Sequence, residues 1–221
     1  MKKRFVILVT LSLILSIGLS AQKPFFMNKE GLSLTFENKD AKKKVTGYSI
    51  TTVTKVEGDA ANGTVSYESM VLDAKKKPLL TKPFAVNIKI ENGVVQLDPA
   101  SFAGTLSEGM QVSGGSMMLP SNLSVGDTFE DYTVNVAIGP IKTTSAFSGI
   151  KVVANETLDI AGTSIECFVI ESIVSSKVIG IKSETTQKTW YARNIGVAKQ
   201  ETYDKKGKIF TTQELISIEG L

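Results

Sequence analysis

Alternation between apolar and polar residues is the dominant pattern of the chain after its first twenty residues. It is clearest in FAVNIKIENG, residues 84–93, where phenylalanine, valine and isoleucine occupy every second position from 84 to 90. Successive side chains of a β-strand point to opposite faces, so this period predicts an antiparallel strand with one apolar and one solvated face. Helical periodicity is nearly absent, and the sequence therefore predicts an all-β protein.

Nine further runs, rich in threonine, valine, isoleucine and aromatic residues and separated by turn residues, fit the same pattern. They span residues 31–37, 45–57, 63–72, 132–139, 143–153, 164–173, 181–193, 197–203 and 208–218. Their spacing is typical of consecutive antiparallel neighbours in a sandwich or barrel. We therefore expect residues 22–221 to form a single domain of about ten or more antiparallel strands, in a strongly curved, barrel-like sheet with meander connectivity.

A long segment near residues 98–131 breaks the strand pattern and is predicted to be irregular. It contains Gly114 and Gly115, followed by Met117, Met118 and Leu119. Long loops in compact domains are commonly functional, and methionine with glycine gives an adaptable apolar surface. A flap over an apolar cavity and a buried crossover that completes the core both fit this composition.

The first residues form a different kind of segment. A basic start, MKKR, precedes an apolar run over residues 5–19, and the small residues Ser20 and Ala21 follow it. This is the pattern of a secretory signal peptide, here residues 1–21, and the run is too short and too interrupted for a membrane-spanning helix. No cysteine follows it. We therefore expect an exported protein of the periplasm or outer envelope that is not a lipoprotein anchored through an N-terminal cysteine, with no transmembrane segment in the mature chain.

The composition of the mature chain excludes several functions. Without residues 1–21 the chain has 22 basic and 22 acidic residues, so it lacks the positive field of a nucleic-acid-binding protein. The absence of histidine excludes Ser-His-Asp and Cys-His catalysis and histidine-ligated metal sites. The single cysteine, Cys167, is expected to be a buried, small apolar residue. We expect neither an enzyme nor a cofactor or metal site.

Three predicted turns share a high content of lysine, at residues 38–44, 73–77 and 204–208. In the last of them, Asp204 is expected to accept hydrogen bonds from nearby backbone amides and Gly207 to adopt a positive φ. Such turns could form a surface for phosphate or anionic lipid. Lysine at exposed turns also keeps strands soluble and blocks edge pairing, and this is the interpretation we favour.

The segment around Trp190 concentrates residues that are rare elsewhere in the chain. Trp190 is the only tryptophan, and Arg193 is the only arginine after Arg4. In a regular strand Trp190 shares one face with Ala192 and Tyr191 shares the other with Arg193, and we expect the tryptophan to pack into the core. Arg193 could pair with a carboxylate or stack on Tyr191, and we favour a structural ion pair over a contact with a bound anion.

Several segments, taken in order, resemble the TapB-like family of exported Gram-negative envelope proteins, which is related to a family of unknown function. The most specific are Trp190-Tyr191-Ala192-Arg193, Gly196-Val197, Tyr203-Asp204 and AGTSIECFVI, residues 161–170. Asn194 and Ile195 stand where Gly-Val is usual in that family. The resemblance implies a β-rich exported domain and carries no catalytic residues or activity.

Two functions fit these observations. The first is non-enzymatic binding of an apolar or lipid-like ligand in a barrel-like cavity, with Tyr191, Arg193, Met117 and Met118 as candidate ligand-binding residues. The alternative is a structural or protein-interaction module with a filled core, whose partner is another envelope protein.

Overall fold

The computed structural model describes residues 23–96, 110–178 and 180–220. In these ranges the protein is all-β, and no helix there could span a membrane. The strands are β1 (Ser33–Asp40), β2 (Val45–Gly58), β3 (Gly63–Asp73), β4 (Phe84–Glu91), β5 (Val94–Gln96), β6 (Met110–Gly114), β7 (Met118–Pro120), β8 (Tyr132–Ile138), β9 (Ile141–Ile160), β10 (Thr163–Val178), β11 (Ile181–Ala192), β12 (Gly196–Tyr203) and β13 (Ile209–Glu219). The predicted signal peptide and residues 97–109 lie outside the described residues.

The ten strands predicted from alternation correspond to β1–β4 and β8–β13. The sequence prediction missed β5, β6 and β7, which contain three, five and three residues. Two of these short strands, β6 and β7, lie within the segment near residues 98–131 that was predicted to be irregular. Strands this short offer too few positions for an alternating pattern to be recognised.

All 13 strands belong to one antiparallel sheet, in the order β6-β8-β9-β10-β11-β12-β13-β1-β2-β3-β4-β5-β7. Most neighbours in this order are also neighbours in sequence, which confirms the predicted meander. One central pair is different, because β1 pairs with β13, with Leu34 opposite Ile218. The first and last strands therefore lie side by side within the sheet, and its two edges, β6 and β7, come from the middle of the sequence.

The sheet is curled but not closed. Only residues 115–117 join the last residue of one edge strand, Gly114, to the first residue of the other, Met118. Four extended peptide steps reach at most about 14 Å, whereas 13 strands laid flat would span roughly 55–60 Å. The two edges must therefore come close together, although β6 and β7 form no ladder with each other.

Irregularities in the longest ladder allow this curvature. The pairing of β9 with β10 shifts register between Val169 and Ile170 and again between Glu171 and Ile173. Such bulges increase the local twist and bend a strand. One hydrophobic cluster includes Cys167, Val169 and Trp190, and a second includes Val152 and Ile170, so β9 and β10 contribute side chains to both.

The predicted geometry of the lysine-rich turn at residues 204–208 is confirmed. The Asp204 carboxylate accepts hydrogen bonds from the amides of Lys206 (2.8 Å) and Lys208 (3.0 Å), and Gly207 has a φ of 72°. The turns after β1 and β3 repeat this arrangement, with Asp40 and Asp73 each accepting two backbone amides at 2.8 and 2.9 Å. An aspartate therefore fixes all three turns.

Candidate ligand cavity

A cavity of about 600 Å³ lies on one face of the curled sheet. Strands from both ends and from the middle of the sheet order contribute to its lining, so the cavity follows from the curl. The strand residues that line it are Leu34, Phe36, Ser49, Thr51, Tyr67, Ile88, Val95, Val112, Leu119, Tyr132, Val134, Val136, Phe147, Tyr191, Gly196, Val197 and Gln213. We call the side of the sheet that bears these residues the cavity face.

The described lining of the cavity is mostly apolar and includes no charged residue. Several of its polar groups already have partners within the protein. The Thr51 hydroxyl is hydrogen-bonded to the Ser69 hydroxyl at 2.7 Å, and the Gln213 amide donates to Asn38 Oδ1 at 3.1 Å. These groups satisfy one another across neighbouring strands, so they leave the cavity wall largely non-polar.

Three tyrosines bring phenol groups to the wall of the cavity. Tyr67 donates its hydroxyl hydrogen to the carbonyl oxygen of Met27 at 3.1 Å. Tyr132 stacks on Phe147 with ring centroids 4.5 Å apart. The hydroxyls of Tyr132 and Tyr191 form no hydrogen bond with another described residue, and both side chains are partly buried. Together with the hydroxyls of Ser49 and Ser116, which also line the cavity, these two phenols are the polar side-chain groups that the described lining offers to a ligand.

Both phenols are protonated at neutral pH, and burial keeps them so to still higher pH. It raises the pKa of Tyr132 to about 12. It raises the pKa of Tyr191 further, and the nearby Tyr132 phenol adds to that effect. A phenol is neutral below its pKa, so both side chains present hydroxyl hydrogens at neutral pH. Each can donate one hydrogen bond to a ligand oxygen and accept another.

The segment of residues 23–27, which we call the N-terminal strap, closes part of the cavity. Phe25, Phe26 and Met27 are all buried and line the cavity. Phe25 packs edge-to-face against Phe168, with centroids 5.7 Å apart. The sequence analysis assigned no role to the strap because it has no strand periodicity, although three adjacent large apolar residues are a signal of burial.

Arg193 holds the N-terminal strap in place. Its guanidinium donates hydrogen bonds to the carbonyl oxygens of Lys23 (2.6 Å) and Ser121 (2.9 Å), and it lies 4.5 Å from the centre of the Phe25 ring. Among the described residues Arg193 has no carboxylate partner, and its guanidinium binds backbone carbonyls where an ion pair was predicted. A planar guanidinium with five donors can bind several such carbonyls and still stack on a ring.

Asn194 stands where the TapB-like family usually has glycine, and its backbone conformation shows why asparagine is tolerated there. It adopts a φ of 61°, a conformation that glycine takes most easily and that asparagine tolerates better than most residues. Its backbone amide donates to the carbonyl oxygen of Pro24 at 2.6 Å. The turn between β11 and β12 therefore presents both an amide and a guanidinium to the strap.

The structure brings together two of the four candidate ligand-binding residues. Tyr191 and Met117 line the cavity. Met118 lies on β7 with its side chain exposed, while the next residue, Leu119, lines the cavity. Arg193 lies outside the lining and binds the strap. Tyr132 and Phe147 also line the cavity and were not predicted from the sequence, because their pairing across β8 and β9 is visible only once that register is known.

Trp190 and Tyr191 are adjacent on β11 and therefore project from opposite faces of the strand, and Trp190 is buried. The indole ring is buried in the same hydrophobic cluster as Cys167 and Ala192, which confirms the predicted core position. Tyr191 lines the cavity, whereas Trp190 does not. The indole N–H donates to Glu156 at 2.7 Å, and the Lys199 ammonium lies 4.7 Å from the ring centre. Cys167 is also confirmed as buried, and burial raises the pKa of its thiol to about 11.

A compact ionic network continues from Trp190 along β12. Lys199 pairs with the buried carboxylate of Glu201 at 2.7 Å, and Tyr203 donates a hydrogen bond to the same carboxylate. Burial alone would raise the pKa of Glu201, but the bonds from Lys199 and Tyr203 outweigh it and lower that pKa overall. Within the described ranges, no group of three or more acidic or cysteine side chains could hold a metal ion.

The fold and the cavity together define a class of protein, a single curled antiparallel sheet that encloses an apolar cavity. The chain belongs to the DUF3108-like family, whose model matches residues 29–215. No curated protein matches it significantly.

Two solved structures are similar over almost their whole length. One is a protein from Bacteroides fragilis, assigned as exported and described with a YmcC-like fold. It is 20% identical, has a TM-score of 0.76, and is matched over 90% of this chain and 100% of its own. The other, from Parabacteroides distasonis, is assigned as a lipoprotein and is 15% identical, with a TM-score of 0.76 and coverage of 89% and 99%. At these identities the similarity shows the shared fold.

Proposed function

We propose that the protein is an exported, non-enzymatic component of the cell envelope that binds a neutral, apolar, lipid-like ligand in the cavity. The observation that carries this proposal is a cavity of about 600 Å³ whose described lining is mostly apolar and includes no charged residue. Small-molecule sites typically have volumes of about 300–1,000 Å³ and are lined by hydrophobic and aromatic side chains with a few polar groups. Removing apolar ligand surface from water would supply most of the affinity.

The two phenols without a described partner define which ligands fit best. Tyr132 and Tyr191 can donate hydrogen bonds to an ester, a carbonyl or a hydroxyl oxygen. A carboxylate buried in the cavity would lack a cationic partner among the described lining residues, and an unpaired buried charge is strongly unfavourable. Residues 97–109 contain no lysine or arginine. A neutral acyl ester or alcohol is therefore the ligand class we favour.

Binding of a neutral fluorescent probe tests this proposal. Mature protein, residues 22–221, should bind N-phenyl-1-naphthylamine with an increase in fluorescence, and a neutral lipid ester should displace the probe. Replacing Val136 in the cavity wall by tryptophan should reduce probe binding at least tenfold, because the indole would occupy the ligand volume. Ile216→Trp, at a partly exposed position that does not line the cavity, is the matched control.

Native mass spectrometry after gentle purification provides a second readout. We expect a fraction of the mature protein to carry a bound neutral lipid, which Val136→Trp should lack. An empty mass throughout, together with equal probe binding by Val136→Trp and Ile216→Trp, would contradict ligand binding. That outcome would favour the alternative function, an envelope protein-interaction module.

The proposed location rests on the sequence. The signal-peptide pattern of residues 1–21 supports export. One of the two structural neighbours is assigned as exported, which is in keeping with this location. Membership of the DUF3108-like family is shown, whereas the more specific resemblance to the TapB-like family stays a prediction.

A further inference from the structure

Lysine is concentrated at one end of the curled sheet. In an antiparallel meander, successive hairpin turns alternate between the two ends, so the turns after β1, β3, β8, β10 and β12 share one end. We call it the lysine end. The connections 41–44, 74–83 and 204–208 contain ten lysines, all exposed. Lys142, Lys177 and Lys182 flank the other two turns and are also exposed.

The opposite end has a different charge. The described connections there, residues 59–62, 92–93, 121–131, 161–162 and 193–195, contain no lysine. Their one basic residue, Arg193, is bound to the strap. They also contain four acidic residues, namely Asp59, Asp127, Glu130 and Asp131. The segment before β1 adds two lysines to that end. Because the mature chain is neutral overall, the protein is electrically polarised from end to end.

Large apolar side chains are exposed at the same end as the lysines. Among the described residues, five of the nine exposed large hydrophobics lie in or directly beside the lysine-end turns. They are Leu79 (63% exposed), Ile141 (47%), Ile181 (76%), Ile209 (39%) and Phe210 (58%). Lysines placed for solubility alone do not require exposed isoleucine and phenylalanine beside them. The combination is that of a surface that enters a membrane interface.

Local geometry at the lysine end also opposes folding stability. Lys43 and Lys76 adopt φ values of 62° and 60°, at the turn position that the third turn gives to Gly207. Lys177 lies directly opposite Lys182 across β10 and β11, and like charges in that position are destabilising. None of the lysines at this end forms an ion pair with a described residue. Strain and repulsion of this kind are common at functional sites.

We propose that the lysine end docks on an anionic phospholipid bilayer. The ammonium groups bind the phosphate-rich surface, and the exposed isoleucines and Phe210 enter the interface between headgroups and acyl chains. An acidic protein surface would match the charge of the lysines. A bilayer also provides acyl chains beneath its anionic headgroups, and these can accept the five exposed hydrophobic side chains. This docking does not depend on a ligand in the cavity.

Vesicle sedimentation tests this proposal with mature protein, residues 22–221. Vesicles of phosphatidylcholine with about one-third phosphatidylglycerol should bind the protein, and pure phosphatidylcholine should not. Raising the salt concentration to about 0.5 M should weaken binding, because ions screen the attraction. Each lysine near an anionic surface contributes about fivefold in affinity, so combining Lys43→Gly, Lys177→Gln and Lys206→Gln should reduce binding roughly 100-fold.

Matched variants distinguish docking from a general effect of charge or hydrophobicity. Lys23→Gln, Lys29→Gln and Lys151→Gln together remove three exposed lysines away from that end and should leave binding within about twofold. Ile181→Ser should weaken binding several-fold, whereas Val125→Ser, at an exposed position on the opposite end, should not. Lys43→Gly alone should weaken vesicle binding while leaving the folded state as stable or more stable, because glycine relieves the positive φ.

Three results would overturn the proposal. The first is equal binding to neutral and anionic vesicles, and the second is equal loss in the two triple variants. The third is retention on an acidic polymer without any binding to anionic vesicles, which would assign the lysine end to an acidic macromolecule instead.

Discussion

Trp190 and Tyr191 are neighbours in sequence on β11, yet they lie on faces of the sheet with opposite properties. Around Trp190 the polar groups bond within the protein, with the indole N–H on Glu156 and the Lys199 ammonium on Glu201. Around Tyr191 the wall is apolar, and the phenols of Tyr191 and Tyr132 have no described partner. A buried side chain whose polar atom is bonded within the protein stabilises the fold, whereas an open, apolar wall is suited to a ligand. The cluster of rare residues in this segment of the sequence did not show which side chain packs in the core and which lines the cavity.

Replacing Trp190 by alanine should have the largest effect on stability. The change removes a buried indole and leaves a cavity, so we expect the free energy of unfolding to fall by about 3–5 kcal/mol. Urea denaturation followed by circular dichroism measures it. Ile216→Ala, at a partly exposed position, is the control and should cost well under half of that. A loss below about 1 kcal/mol for Trp190→Ala would mean that this face is not a filled core.

Glu201→Gln should have the next largest effect, about 1–3 kcal/mol at pH 7, because it leaves the Lys199 ammonium without its carboxylate. The pKa of Glu201 is lowered in the folded protein, so its stabilisation is complete above the unfolded pKa, near 4.5, and is lost as the pH falls through the folded value. Urea denaturation at pH 7, 5 and 3 should therefore show the difference between wild type and variant shrinking towards acid. A difference that stays constant with pH would contradict this network.

Arg193→Ala should reduce stability by about 1–2 kcal/mol, because two carbonyl oxygens lose their charged donor and the strap loses its stacking contact. Arg193→Lys should recover less than half of the loss, since an ammonium lacks the flat guanidinium that covers the Phe25 ring while one of its nitrogens binds both carbonyls. Faster proteolytic cleavage within the strap would locate the effect on the cavity side. Full recovery with lysine would show that only the charge matters.

Tyr191→Phe should have the smallest effect, within about 0.5 kcal/mol, because the removed hydroxyl has no described partner in the empty protein. Binding of the apolar probe should also be unchanged. Binding of a neutral lipid ester should weaken, since one of the two phenol donors is lost. A large loss of stability would mean that the Tyr191 hydroxyl stabilises the fold, as the Trp190 side chain does. The two residues would then not differ in role.

Most of the strand order could be predicted because alternation is a local property. The run at residues 84–91 and the turn at Asp204 are each fixed by residues within a few positions of one another. The pairing of β1 with β13 and the bulges in β9 and β10 depend on contacts between distant segments, and these features create the cavity. Periodicity therefore predicted the strands but not the space they enclose.

The candidate site was predictable only in part, for the same reason. Tyr191 was predicted because it lies between the rare residues Trp190 and Arg193, and Met117 because it belongs to a stretch rich in methionine and glycine. The partners of Arg193 lie 170 and 72 residues away, on carbonyl oxygens that carry no side-chain signal. The strap had no strand period, and its buried role follows from a turn between β11 and β12 that holds it by backbone contacts.

The ladder between β1 and β13 also has a consequence for how the chain folds. This pairing joins residues that are almost a full chain length apart, for example Ser33 and Glu219, and it lies inside the sheet. Bringing such distant residues together costs conformational entropy, and this slows folding. The ladder also cannot begin to form before the last strand has been synthesised. The nascent chain therefore lacks the ladder between β1 and β13 until translation is nearly complete. This suits the proposed export, in which the polypeptide crosses a membrane before it acquires its final structure.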